Sequence, residues 1–240
     1  MSNLKLTIAI SDYDHVRDFA EGKVKAEGIE ANFLSLQVEE IFFRFLPFRE
    51  WDLSEISFGK YVALKCLGDD SISSIPVFPS RLFRLSGVYI RSNSGITTPQ
   101  QLRGKRVGLP QWAQTATTYI RGWLTDTVGI PLSEIDWYQL GPNSPGRLDN
   151  TAEKPPQGVS LTNLPDGSLA DMLVEEKLDA ILTADPPRRM LAGDNRITRL
   201  YPEYEGVERK FFAKSGIFPI MPVSYTHLRA HETLRYLVGR

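Results

Sequence analysis

One cysteine, Cys66, stands in 240 residues. That excludes an internal disulfide framework and suits a reducing compartment. No apolar run approaches the ~18–20 residues of a membrane-spanning helix. The formal net charge of −1 supplies no field for nucleic acid or an anionic membrane surface. Internal repeats and low-complexity tracts are absent, which excludes solenoids and propellers. The first apolar run, Leu6–Ile10, is short and is followed by Asp12 and Asp14 where a leader would need its cleavage site. It reads as a first strand, and a cytoplasmic protein is expected. The remaining composition, 42% hydrophobic and 24% charged, is that of a globular chain long enough for one large domain or two lobes.

What is present is an alternation of strands and helices. Leu4–Ile10 is apolar and β-branched, Ala31–Leu36 reads as a second strand, and Leu53–Ser57 as a third. Val38–Phe48 places Val38, Ile41, Phe42 and Phe45 at helical spacing behind two glutamates, so its aromatic residues read as core. A helix over Gly59–Leu67 stops at Gly68, and strands are expected at Ser73–Phe78 and Gly87–Arg91. This rhythm predicts an α/β protein with mostly parallel sheets. A second unit starts near Thr97. It has strands at Lys105–Leu109, Asp136–Leu140, Val159–Asn163 and Asp179–Thr183, helices at Thr115–Val128 and Ser168–Glu176, and an exposed loop over Gly141–Gly158. Ile197–Leu200 and Gly216–Met221 lead back to the first unit. Residues 1–92 with about 199–222 are expected to form one lobe and 97–190 the other.

Ser94-Gly95-Ile96, then Thr98-Pro99-Gln100-Gln101-Leu102-Arg103-Gly104-Lys105-Arg106-Val107-Gly108, then a helix opening near Thr115, resembles the lobe crossing of type II periplasmic-binding-protein folds. The resemblance implies a two-lobed architecture with an interlobe cleft. There the N–H groups and positive dipole end of the Thr115 helix suit an anion. The threonines equally suit plain helix caps, and both readings stay open.

The C-terminus reads Val-Ser-Tyr-Thr-His-Leu-Arg-Ala-His-Glu-Thr over 223–233, and from Ser224 it resembles a translated sequencing adapter. Residues 224–240 are therefore expected to be a non-native tail with few long-range contacts, and the chain to be C-terminally truncated. His227 and His231, with Glu232 beside them, mimic a helical metal motif. They are set aside with the tail, and no metal ligands are assigned.

Four segments carry a closer resemblance: Ile8-Ala9-Ile10-Ser11-Asp12-Tyr13-Asp14, Glu39-Glu40-Ile41-Phe42-Phe43-Arg44, Ile75-Pro76-Val77-Phe78-Pro79-Ser80-Arg81-Leu82-Phe83-Arg84, and Gly216-Ile217-Phe218-Pro219-Ile220-Met221. They are similar, in order, to the 4,5-dihydroxyphthalate decarboxylase family. The resemblance implies a carboxy-lyase of aromatic catabolism acting on a small aromatic carboxylate. A non-catalytic solute-binding protein of the ABC-transporter type stays open as the alternative.

The implied substrate sets the chemistry. Each carboxylate of 4,5-dihydroxyphthalate is para to a hydroxyl. Protonating the ring carbon that bears a carboxylate gives a cation the para oxygen stabilises, and loss of CO₂ restores aromaticity. No organic cofactor motif is visible and the electron-rich ring needs no electron sink. Such a site needs a general acid, a hydrogen-bonding group at the hydroxyl, and cations for the spectator carboxylate. Asp14 or His15 is the proton-donor candidate and Tyr13 the hydrogen-bonding one. Asp12 joins them after the first strand, where a solvated turn is the competing reading and the D-x-D-H string leaves a divalent metal open. Arg81 and Arg84 are the carboxylate forks, against a surface ion pair. Ser57, Trp112, Thr115, Thr117, Arg121 and Asp185 complete the substrate-binding candidates.

Overall fold

The structure is a computed structural model that describes residues 3–145 and 154–227, with side chains as far as Ser224. In chain order the elements are β1 (Leu4–Ile10), α1 (Arg17–Ala20), β2 (Ile29–Ser35), α2 (Val38–Phe48), β3 (Leu53–Ser57), α3 (Phe58–Cys66), β4 (Ile72–Ser74), β5 (Val88–Arg91), β6 (Arg106–Leu109), α4 (Thr115–Trp123), β7 (Asp136–Gln139), β8 (Leu161–Asn163), α5 (Leu169–Val174), β9 (Ala180–Leu182), α6 (Arg188–Leu191), β10 (Ile197–Arg199), α7 (Tyr204–Ser215) and β11 (Pro222–His227). They divide into two compact units, Met1–Arg81 with Ile220–Arg240, and Leu82–Pro219.

The first unit is a five-stranded sheet of order β2-β1-β3-β11-β4. β1 runs parallel to β2 and to β3, with Ile8 opposite Leu53 and Ala9 opposite Ser54. β11 enters antiparallel between β3 and β4. The spacing of α2 buries Ile41 and Phe45 against Ala9, Trp51, Ile56, Ile72 and Val223. Phe43, on its other side, stays exposed, as expected of an amphipathic helix, and so does Phe48, the last residue of the helix. α2 closes on Arg49 in the left-handed region, φ 51°.

The second unit is a six-stranded sheet of order β10-β5-β9-β6-β7-β8. β6, β7, β8 and β9 run parallel, whereas β5 pairs antiparallel with both β9 and β10. Its largest core joins Val88, Ile90, Val107, Leu109, Trp112, Ile120, Trp123, Leu124 and Trp137. At Thr98 the expected cap is a full capping box with Gln101, around a 3-10 turn over Pro99–Leu102. The helix expected over Thr115–Val128 is α4 as far as Trp123. It then widens into a π turn over Leu124–Val128, closed by Gly129 in the left-handed region.

The division falls elsewhere than the sequence suggests. β5 belongs to the second unit, because Val88 and Ile90 are buried in its core and the strand lies between β9 and β10. The chain therefore crosses at Arg81 and Leu82, before β5, and returns at Pro219 and Ile220, not near 199. A strand buried on both faces carries no alternation to say which sheet it joins. Gly216–Met221 is irregular apart from a bridge between Ile220 and Arg81, and the returning strand is β11. Ser224–His227 continues β11, with Ser224 buried and its backbone opposite Glu55. That differs from the few contacts expected of this stretch. Pairing of an extended backbone depends little on side-chain identity once Pro222 and Val223 have aimed the chain between β3 and β4. His231 and Glu232, like residues 146–153 of the Gly141–Gly158 loop, lie outside the described residues.

Candidate active site

In the first unit, adjacent parallel strands bring β1 and the turn after it beside β3. Ser11-Asp12-Tyr13 leaves the sheet and Asp14–Val16 makes one 3-10 turn before α1. Here the structure adds a residue that the sequence reading did not name, Glu55. It is 1% exposed. Its Oε1 accepts a hydrogen bond from the Ser11 N–H at 2.6 Å, and its Oε2 one from the Tyr13 hydroxyl at 2.8 Å. Burial pushes the Glu55 carboxyl above the usual carboxylate range, and the two hydrogen bonds only partly oppose it. The Tyr13 ring stacks on His15 with centroids 5.5 Å apart.

The other residues of the turn face solvent. The Asp14 side chain is 94% exposed and the Asp12 side chain 69%, and both meet the Arg17 guanidinium, at 3.0 and 3.2 Å. A shared guanidinium turns both carboxylates toward one cation. Among the described residues no cluster of three or more histidine, cysteine or acidic side chains is arranged to hold a metal ion. Ser57 is buried at the end of β3, with Lys60 buried one turn into α3. Arg81, the last residue of this unit before the crossing, is exposed, and its guanidinium lies 5.7 Å from the centre of the Phe78 ring.

In the second unit the candidates take more structural roles. Arg84 is half-buried and donates to the Ala184 carbonyl at 2.7 Å. With Phe83, Leu85, Tyr119, Trp123, Phe211 and Pro219 it lines a shallow apolar depression. Trp112, Thr117 and Arg121 are buried together ahead of and along α4. The Arg121 guanidinium carbon lies 3.8 Å from the Trp112 ring centre. Its nitrogens donate to the Trp112 carbonyl at 2.7 Å and to the Thr117 hydroxyl at 3.3 Å. Thr117 in turn donates toward the carbonyls of Gln111 and Gln114. The Trp112 N–H is held by Gln139 Oε1 at 2.7 Å, a partner from β7 that the sequence reading missed. This network fixes the chain entering α4, whose first residue, Thr115, is also buried. Asp185 is exposed, and its carbonyl accepts from the Thr183 hydroxyl at 2.6 Å.

These residues sit in a chain with informative relatives. It is 33% identical over 222 residues to a 4,5-dihydroxyphthalate decarboxylase of Comamonas testosteroni, covering 92% of this chain and 67% of that protein. A second 4,5-dihydroxyphthalate decarboxylase, from Pseudomonas putida, is 32% identical over 213 residues, covering 88% of this chain and 83% of that protein. The chain belongs to the 4,5-dihydroxyphthalate decarboxylase family. No family model matches it. Among solved structures, the periplasmic aliphatic sulphonate binding protein SsuA of Escherichia coli aligns over 100% of this chain and 69% of its own, with a TM-score of 0.54 and 11% identity. The alkanesulfonate-binding protein SsuA of Xanthomonas axonopodis pv. citri, bound to MOPS, aligns over 100% and 72%, with a TM-score of 0.53 and 12% identity. At that identity the likeness concerns the fold, which is of the type II periplasmic-binding-protein kind. Among the described residues no helix is long and apolar enough to cross a membrane.

Proposed function

We propose that this chain is a carboxy-lyase converting 4,5-dihydroxyphthalate to 3,4-dihydroxybenzoate and CO₂ by protonation of the ring carbon that carries the departing carboxylate. The observation that carries the reading is its similarity, over about nine-tenths of the chain, to two proteins named for that reaction. The turn after β1 supports the chemistry. It sets a phenol, Tyr13, against a buried carboxyl, Glu55, beside an imidazole, His15. Tyr13 O–H hydrogen-bonds a ring hydroxyl or hands a proton to the ring. Arg81 is proposed as the fork for the spectator carboxylate, since a guanidinium matches both carboxylate oxygens at once. In the second unit, Thr115 and Arg84 are the residues proposed to contribute to substrate binding. Trp112, Thr117 and Arg121 support them by fixing the start of α4.

The test is direct. The protein is incubated with 4,5-dihydroxyphthalate in deuterated water without added organic cofactor. CO₂ release is expected, with one deuterium at the vacated carbon of 3,4-dihydroxybenzoate. Tight binding of the phthalate with no CO₂ above background, including after divalent metal addition, would replace the enzyme with a binding protein on the same fold.

A further inference from the structure

We infer that Glu55 is the proton reservoir of this site and that Tyr13 is the conduit through which its proton reaches the substrate ring. The inference deepens the decarboxylase reading and rests on it.

The geometry is specific about where a proton on Glu55 must sit. The carboxylate is fully enclosed, and among the described residues each of its oxygens accepts one hydrogen bond from a neutral donor. Oε1 is occupied by the Ser11 backbone N–H, which cannot reverse its role. A proton therefore belongs on Oε2, 2.8 Å from the Tyr13 hydroxyl oxygen. A carboxylic acid is a far stronger donor than a phenol, so protonation turns this bond around. Oε2–H then donates to Tyr13 Oη, and the phenolic O–H points away from Glu55.

The energetics argue against a merely structural tie. Taking a carboxylate out of water costs several kcal/mol even after relaxation. Two charge-assisted hydrogen bonds, from a backbone N–H and a phenol, offset part of that cost. A neutral amide or hydroxyl would bind the turn at lower cost, whereas an enclosed acid supplies a proton.

The step balances as follows. The Tyr13 O–H bond breaks as its proton forms the new C–H bond, using a pair of ring π electrons. Oε2 gives its proton to Tyr13 Oη in the same movement, so no tyrosinate accumulates. The C–C pair of the departing carboxylate then returns to the ring as CO₂ leaves. Glu55 is left as carboxylate and regains one proton from water. One proton is consumed for each CO₂ released. Tyr13 touches the substrate in this scheme, and Glu55 acts through it as a positioning and supply residue.

The experiment compares wild type, Glu55→Gln, Tyr13→Phe and the double variant in steady-state turnover of 4,5-dihydroxyphthalate, with folding followed by circular dichroism. A general acid contributes roughly 10²–10⁴-fold. Each single variant is therefore expected to lose at least about 10²-fold in kcat with KM little changed, and the double variant no more than the worse single, as for two members of one relay. An unchanged kcat in either single variant, a loss confined to KM, or losses that multiply in the double variant would overturn the relay. Should Glu55→Gln fail to fold, Tyr13→Phe alone decides, because its ring and packing are retained. Absence of CO₂ from wild type would sink the decarboxylase reading and the relay together. Normal wild-type turnover with unaffected variants would sink the relay alone.

Discussion

Glu55 and Arg121 are the most deeply buried charged side chains among the described residues of their respective units, and they are housed in opposite ways. Arg121 lies flat on Trp112 and donates to a carbonyl and a hydroxyl of its own segment, which leaves a cation solvated by fixed dipoles and a ring face. Among the described residues the Glu55 carboxyl accepts from a backbone N–H and a phenol, and burial raises its pKa against these two bonds. Some acids of the second unit are held by guanidinium groups, as with Arg106 and Asp179 at 3.0 Å or Arg189 and Asp171 at 2.7 Å. The contrast separates two uses of a buried charge. In the second unit it holds a segment in place. In the first, on the relay proposed above, it would hold a proton away from solvent.

The largest effect that would sharpen this contrast is on stability. Arg121→Ala removes the stacking on Trp112 and leaves the Trp112 carbonyl without its donor. Loss of about 2–4 kcal/mol is expected, read as a lowered denaturation midpoint with the cooperativity of unfolding retained. A variant as stable as wild type but unable to turn over substrate would break the comparison and move Arg121 from the scaffold into the site.

Next in size is Arg81→Lys. An ammonium keeps the charge and loses the fork. If Arg81 grips the spectator carboxylate, kcat/KM should fall roughly 10–100-fold, about 1.4–2.8 kcal/mol of transition-state binding, while the denaturation midpoint stays put because the side chain is exposed. Unchanged kcat/KM would remove Arg81 from the site and leave it as a partner of the Phe78 ring.

How much of this was legible in the chain itself depends on which surfaces an element buries. β1, α2 and β3 were readable to the residue, because each has a clean apolar pattern between polar or turn-forming ends. β5 was readable as a strand and not as a member of its sheet. α7 was not readable. Its inward-facing Val207 and Phe211 are only two apolar positions, set among charges and next to Gly206. Glu55 was missed for a related reason. In Leu53-Ser54-Glu55-Ile56-Ser57 a glutamate reads as the outward residue of an alternating strand, yet Ser54, Glu55, Ile56 and Ser57 are all buried. The usable signal was its context: a single acid in a short strand of small and apolar residues, with the neighbouring first strand running into Ser11 and Tyr13. Asp12, Asp14 and His15 were legible as the residues of that turn. That these three face solvent while Tyr13 turns to Glu55 was not, since it depends on Arg17, which draws both aspartates outward.

The smallest effect lies in the pH dependence of stability, and its sign distinguishes the two kinds of acid. A carboxyl whose folded pKa is raised contributes stability that is complete below its unfolded value and is lost as pH rises through the folded one. Glu55 is such a group, because of its burial, and so is Glu208 in the second unit, again chiefly through burial. A carboxyl whose folded pKa is depressed contributes above its unfolded value and loses that contribution as pH falls through the folded one. Asp171 is of this kind, held down first by the Ser168 hydroxyl and then by Arg189. So is Asp179, where burial pulls upward but hydrogen bonds from the Arg106 guanidinium and N–H outweigh it. With unfolded values of about 4.3 for glutamate and 3.9 for aspartate, the two kinds act in different windows. Glu55→Gln should flatten the fall in Tm as pH rises above about 4.3, and Glu208→Gln should do the same as an internal reference. Asp179→Asn should leave that window alone and flatten the fall below about pH 3.9. Thermal melts across that range, followed by circular dichroism, read both slopes. A Glu55→Gln curve parallel to wild type above pH 4.3 would mean that the folded protein gains nothing from a proton on Glu55. The contrast between the two units would then reduce to one of packing.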